Sequence, residues 1–515
     1  MSQPQGIDEQ TRDFVTAFSK FMEHVHVLAD SGGEGERLFD RLTAHLGHDV
    51  GSLPVVAEQI PVHRVVDADI ALDEIAEGEK TPGVDARPTV IGIGGGGGDM
   101  RHHMTLGDLL QNGMHGMNFR VGQVDYANAS TGPGPDDKRQ IVASGIRLFW
   151  FDGSPVAVRQ QSPSRQYGRE EGALEVLAND RQTADALIGR VRELMDERSI
   201  LKGQVITFGT DPYGRGMAGL SFLERPTLSR DDIVLPDHQL DKVVAHVVGI
   251  GEQRARLQAH GQHLKRGVLL YGPPGTGKTH TVRYLLSASP GTTAVLLSGG
   301  ALEYIHAAAK IVRAHQPAIV VLEDCDLVAE DRSIGMGSSP LLFEVLDALD
   351  GLDSDADVAF LLTTNRVDDL EVALSQRPGR VDLAVEIPLP DEAGRLALLR
   401  LYGRDLFGEK AMADAAARSA GTTASFAKEL VRRAVLMAAI EGAEGTDLTD
   451  GHLTAALDDL LSDAEHLTRS LLGVGAGDGG PSDLPPGAGP GLMRPPRPRR
   501  GGGSTGGWVA SSPRG

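Results

Sequence analysis

Eight consecutive residues, Gly272-Pro273-Pro274-Gly275-Thr276-Gly277-Lys278-Thr279, have the spacing G-x-x-x-x-G-K-[ST]. Glycines at these positions let backbone N–H groups turn inward and cradle phosphate oxygens. Lys278 is placed to reach the outer phosphates of a nucleotide, and the Thr279 hydroxyl can hold Mg²⁺. His280 follows directly and is grouped with the nucleotide contacts. The apolar run Val268-Leu269-Leu270 before the loop predicts a strand, and Thr279 to Ala288 predicts a helix whose N-terminus adds partial positive charge. A Gly/Pro-rich surface turn ending in Lys-Thr is the alternative. A strand before and a helix after favour the phosphate-binding reading.

Further on, Ala318-Ile319-Val320-Val321-Leu322 predicts a short buried strand that ends in Glu323-Asp324-Cys325-Asp326. Carboxylates at such a strand end can bind a nucleotide's Mg²⁺ and polarise an attacking water. Any one of them could simply terminate a strand; three acids in four positions are harder to explain that way. Another apolar run, Val358 to Thr363, ends in Thr364-Asn365. An amide there could orient the water, although Asn after a strand is also ordinary turn chemistry. Arg377-Pro378-Gly379-Arg380 supplies two arginines in a turn. Arginine beside a transferring phosphoryl group accelerates the reaction by roughly 10³–10⁵, whereas loop arginines in isolation are commonly solvated.

Taken together and in this order, the motifs between about Asp231 and His466 resemble those of the AAA ATPases of the AAA+ superfamily. GPPGTGKT is similar to their Walker A, VVLEDCD to Walker B and LLTTN to sensor 1. RVDDLEVALSQRPGRVDLAVEIPLPD is similar to the second region of homology with its arginine fingers, and LLFEVLDALDGL to the helix between Walker B and sensor 1. The resemblance implies ATP and Mg²⁺ as cofactors, with Gly272 to His280 on the nucleotide. Thr279 and Glu323 fall at the metal, Asp324 at the catalytic base, Asn365 at sensor 1, and Arg377 and Arg380 at fingers acting on the neighbouring subunit. Fingers acting in trans imply a homo-oligomeric ring, usually a hexamer in this family. The common order at the acidic strand is Asp-Glu, whereas this chain has Glu-Asp, and the shorter Asp at the second position shifts where water is held.

These residues must be positioned by an α/β domain: a P-loop NTPase parallel sheet sandwiched by helices over 229–390, followed by a small helical lid over 391–470. Helices from Glu392, Met412, Ala424 and Asp450 would build the lid. Residues 1–140 are expected to form a mainly helical N-terminal region. Apolar spacing predicts helices over Phe14–Ala29 and Glu36–Leu46, and the glycine run ending at Gly98 reads as a loop. His102, His103 and His115 near that run read as solvated loop histidines, since no acid or cysteine companions stand at metal-ligand offsets. A separate small α/β unit with its linker is expected over 141–228. It would contain a hairpin turning at Asp152-Gly153, a strand at Leu174–Leu177, an amphipathic helix over Arg181–Arg198 and a closing strand at Val205–Phe208. The linker would span Asp211 to Ser229. The last segment, 471–515, is rich in Gly, Pro and Arg and predicts a disordered tail.

A net charge of −21 argues against a surface that tracks nucleic-acid phosphates. The single cysteine, Cys325, excludes an internal disulfide. No run of the sequence is long and apolar enough for a membrane span, and the polar start MSQPQGIDEQ does not read as a signal peptide, which together point to a cytoplasmic protein. Three functions remain open. They are an ATP-driven ring that remodels a protein substrate or complex recruited through the first 228 residues, a nucleotide-gated binding ring with slow hydrolysis, and a nucleic-acid motor. Ser298 to His306 stands where unfoldases of the family carry a pore loop. Tyr304-Ile305 could grip a polypeptide there or be buried in a helix.

Overall fold

The strand Ala318–Glu323 sends Ala318, Val320 and Leu322 into one apolar cluster and Ile319 and Val321 into another. A strand apolar on both faces needs a cover on each, which is the requirement of a parallel sheet between two helix layers. The computed structural model describes residues 17–18, 20, 35–78, 88–95, 100–114, 119–209, 220–325, 355–366, 381–442 and 448–462. The expected helix over Phe14–Ala29 (apart from three residues), Gly96 to Gly98, His115, Asp326, the segment 341–352, Arg377, Arg380 and the tail 471–515 lie outside the described residues.

Among the described residues the strands form two seven-stranded sheets. The first contains β1 (Val55–Ile60), β2 (Thr89–Gly95), β3 (Phe119–Gly122), β4 (Asp125–Ser130), β5 (Lys138–Phe151), β6 (Ser154–Gln161) and β7 (Gly172–Ala178). Its order is β1-β7-β6-β5-β2-β3, with β4 also on β5, and its pairings are antiparallel. Helices α1 (Leu38–Leu46) and α3 (Leu106–Met114) pack on one face, and α2 (Val65–Gly78) and α4 (Arg181–Glu197) on the other. The β5–β6 turn has Asp152 and Gly153 both at positive φ, 48° and 73°. That left-handed pair matches the twist of a two-residue hairpin.

The second sheet joins β8 (Val205–Phe208), β9 (Leu220–Leu223), β10 (Arg266–Tyr271), β11 (Thr293–Ser298), β12 (Ala318–Glu323), β13 (Val358–Thr364) and β14 (Leu383–Glu386). Its order is β14-β10-β13-β12-β11-β8-β9, parallel except for the antiparallel β8–β9 pair at one edge. Helix α5 (Lys278–Ser287) covers one face and α6 (Ile305–Ala314) the other. Four helices, α7 (Glu392–Gly403), α8 (Glu409–Arg418), α9 (Ala424–Glu441) and α10 (Asp450–Leu461), bury their own cluster around Phe426, Leu430 and Leu457.

Three expectations about the first half are corrected. The division at 140/141 cuts through one sheet, because β2 pairs with β5 across it, and among the described residues of the first segment four strands stand beside its helices. Val205–Phe208 does not close that unit but extends the parallel sheet beside β11. Part of the expected linker, Leu220–Leu223, is a strand on β8. Hydrophobic periodicity identifies a strand from its own residues, but the choice of partner is a long-range contact that periodicity does not encode.

Candidate functional site

The phosphate loop depends on backbone angles that L-residues with side chains rarely adopt. Gly272, Gly275 and Gly277 have φ of 144°, 77° and 110°. Gly272 is also sterically fixed: a Cβ there would lie 2.3 Å from the Ile387 carbonyl oxygen. The Thr276 hydroxyl donates to the Pro273 carbonyl at 2.9 Å. Lys278, only 6% exposed, donates through Nζ to the Gly272 and Pro273 carbonyls, each at 2.8 Å. Its ammonium is therefore held at the mouth of the loop by the loop itself. Helix α5 starts at Lys278, so its first N–H groups face the same space. The His280 ring Nε2 lies 3.1 Å from the Asp232 carbonyl, where the ring N–H donates. This ties the segment before the helix Asp237–Val244 to the back of the loop.

Strand β13 sits between β10, which feeds the loop, and β12, which carries the acids. Tyr271 aligns with Thr364 and Leu322 with Leu362, so the loop, Glu323, Asp324 and Asn365 all emerge at the carboxyl edge of one parallel sheet. Ligands of open α/β sheets bind at that edge. The Thr279 hydroxyl lies near the Glu323 carboxylate. Burial, reinforced by the neighbouring Asp324 charge, pushes the Glu323 carboxyl above the ordinary glutamate range, while the Thr279 hydroxyl and Arg283 act against the rise. Asp324 has φ of 51°, and its N–H donates to Thr363 Oγ1 at 3.0 Å. Asn365 is half-buried at the end of β13.

Thr279, Glu323 and Asp324 present hard oxygen donors, which suit Mg²⁺. Among the described residues no group of three or more His, Cys, Asp or Glu side chains could hold a metal ion. A cation carried by one or two carboxylates together with substrate phosphates needs no such group. Residues that sequence reasoning missed come from the helical bundle. Ser425, at the start of α9, donates its N–H to the Gly275 carbonyl at 3.1 Å, and its Oγ lies 3.3 Å from the same oxygen. Thr423 caps that helix through the Phe426 N–H at 3.3 Å. Pro274 and Gly275 are exposed beside this junction, so the bundle reaches the nucleotide loop directly. Ser425 and Gly275 are 150 positions apart, and no sequence pattern links them.

Two other candidates resolve differently. Tyr304 and Ile305 form the join between a 3₁₀ turn and α6. Ile305 is fully buried, and Tyr304 stacks on Phe208 with ring centroids 5.0 Å apart. Ile305 thus follows the buried-helix alternative, while Tyr304 is half-buried at the end of the turn. His102 is not a solvated loop residue: it lies in the short helix Met100–His103, 7% exposed, stacked on Tyr167 at 4.3 Å. No helix among the described residues is long and apolar enough to cross a membrane.

Residues 268–389 match the family model described as "ATPase family associated with various cellular activities (AAA)". The chain is 30% identical over 310 residues to the ATP-dependent zinc metalloprotease FtsH 1 of Thermomicrobium roseum, covering 57% of this chain and 46% of that protein. It is 33% identical over 222 residues to the ATP-dependent zinc metalloprotease YME1L of Drosophila melanogaster (41% and 30% covered). With the 26S proteasome regulatory subunit 10B of Dictyostelium discoideum it shares 36% identity over 154 residues (27% and 39% covered). The chain spans about half the length of these curated relatives, or less. No His-Glu dipeptide occurs among its 515 residues, so the H-E-x-x-H zinc pattern of peptidases is not present in them.

Proposed function

Residues 268–389 are an AAA ATPase domain, and from that premise we propose that the protein binds and hydrolyses ATP as a ring and uses the cycle to remodel a protein substrate or complex. The observation that carries this reading is the convergence of Lys278, Thr279, Glu323 and Asp324 at one sheet edge, with the Thr279 hydroxyl near Glu323. The loop N–H groups and Lys278 bind the phosphates, and the start of α5 faces the same negative charge. Thr279 and Glu323 hold Mg²⁺, which neutralises charge on the phosphate oxygens. Asp324 accepts the proton of the attacking water, and Asn365 orients that water from the next strand. Arg377 and Arg380 reach the γ-phosphate of a neighbouring subunit, which makes a homo-oligomer, by family a hexamer, part of the active site.

Relatives named as ATP-dependent proteases and proteasome regulatory subunits support a polypeptide as the load. The net charge of −21 supports the same choice over a nucleic acid, and the single cysteine suits a cytoplasmic, reducing setting. A second reading, a nucleotide-gated binding ring with slow turnover, is favoured by the Glu-Asp order and by the left-handed backbone of Asp324. Phosphate release by the purified full chain is the test. Lys278→Ala abolishes it if the reading is right, and unchanged turnover in that variant overturns it. Asp324→Asn should bind ATP without turning it over; material that co-purifies with this variant in ATP but not in ADP separates a remodelling ring from an idle one.

A further inference from the structure

Strand β12 does not end by fraying. Its ladder with β13 runs as far as Leu322 beside Leu362, and the next two residues then bond to Thr363 of the neighbouring strand. Asp324 donates its N–H to the Thr363 hydroxyl oxygen at 3.0 Å, and Cys325 donates its N–H to the Thr363 carbonyl at 3.0 Å. Cys325 also directs its Sγ to the Leu322 carbonyl at 3.4 Å. Between these contacts Asp324 has φ of 51°, one of three non-glycine residues at positive φ among the described residues. That conformation is disfavoured for a residue with a side chain and persists where surrounding structure over-determines it.

We propose that Thr363 is a positioning residue for hydrolysis: its hydroxyl fixes the left-handed backbone of Asp324 and so aims that carboxylate at the water beside the γ-phosphate. The inference rests on the ATP-hydrolysis reading above. Thr363 is 1% exposed, so bulk water does not substitute for its hydroxyl. Without that oxygen, the Asp324 N–H loses its acceptor at a half-buried site, and the backbone is free to relax to negative φ. A turn of that kind displaces the Asp324 carboxylate while leaving Lys278, Thr279 and Glu323 in place. This chain has Asp, not the longer Glu, at the second acidic position, so a fixed backbone supplies the placement that a longer side chain would otherwise reach for.

The phosphate-release assay of the full chain, run as a function of ATP and read as separate kcat and KM, tests this. Thr363→Val keeps the shape and removes the acceptor. It should lower kcat by about 10- to 100-fold, the scale of a misplacement near 1 Å, with KM and fluorescent-nucleotide binding within about twofold of the unmodified protein. Thr363→Ser restores the oxygen and should recover most of kcat. Full kcat in Thr363→Val overturns the inference, and so does an equal loss in Thr363→Ser. If the valine protein does not fold, Thr363→Ala carries the same pair of outcomes. No turnover in the unmodified chain overturns the hydrolysis reading itself, whereas turnover there that ignores Thr363→Val overturns only the role of Thr363.

Discussion

In the antiparallel sheet charged groups point inward and are closed off by partners. In the parallel sheet Glu323 and Asp324 stand only where a strand ends. Arg159 on β6 is fully buried and meets Glu175 on β7 at 3.0 Å, and it also donates to the Met104 carbonyl at 2.6 Å and the Arg101 carbonyl at 2.7 Å. Burial lowers its pKa, and Glu175 opposes the fall. Asp69 on α2, 1% exposed, pairs with Arg147 and Arg139 and accepts from the Val142 N–H and the Gln160 amide. By contrast, the interiors of β12 and β13 are apolar up to Leu322 and Leu362. A low dielectric strengthens every charge interaction, and the surroundings decide whether that strength holds a fold or waits for a ligand. A charge with all its partners in the chain is structural; a carboxylate at an open strand edge, with its pKa raised, is available for chemistry.

The largest effect expected from this contrast is at the open edge. Glu323→Gln should reduce phosphate release by about 10²-fold or more, with a raised Mg²⁺ requirement, and leave the melting curve nearly unchanged. In the unmodified protein kcat/KM, which reports the free enzyme, should fall on acidification at a pH above that of an ordinary glutamate. The Glu323 carboxyl is raised, takes up its proton earlier as pH falls, and then no longer serves a cation. A pH–rate profile reads this directly, and a descent no earlier than that of an ordinary glutamate would break the contrast.

In the closed sheet the expectation reverses. Arg159→Met should cost about 3–5 kcal/mol in a urea melt, because Glu175 is left buried and unpaired. Adding Glu175→Leu should recover part of that loss. The recovery stays incomplete, since the Leu106 N–H gives up its 2.9 Å bond to Glu175 and two carbonyls lose Arg159. ATP turnover per folded molecule should change little in either variant.

A smaller effect lies where the two sheets meet. Ser199 donates to Asp67 on α2 at 2.8 Å and lies 3.3 Å from Nε2 of His315, just past α6. His315 and nearby His63 are both lowered to about 4 by burial, with the Arg64 charge the next cause for each. The unfolded chain takes up protons on these rings below about pH 6.5, while the folded protein does so only near pH 4. Acid therefore favours unfolding across that window, by at most about 1.4 kcal/mol per pH unit for each histidine, and their contribution is fully present above it. Asp67, raised by burial, contributes with the opposite sign. Urea midpoints from pH 7.5 to 4.5 should fall less steeply in the His63→Gln, His315→Gln double variant; an unchanged slope would remove these rings from the account. Smallest of all, the exposed Arg400–Glu409 pair on the helical bundle should be silent in a melt when Arg400 is replaced by Ala.

Spacing alone located the phosphate loop, its flanking strand and helix, the acidic strand end and the β5–β6 hairpin turn. Each depends on neighbours a few positions apart, where residue type dictates backbone angle: glycines at positive φ, a lysine at a helix start, a run apolar on both faces. What the sequence did not carry were the pairings. Residues on both sides of position 140 close one sheet, Val205–Phe208 joins the other, Ser425 meets Gly275, and Thr363 holds Asp324. Such contacts are made by groups from 39 to 150 positions apart in the two hydrogen-bonded cases. They form only because many buried side chains together fix which strand lies beside which. The chain's own chemistry therefore named the candidate groups, and the packed sheet decided how they are arranged.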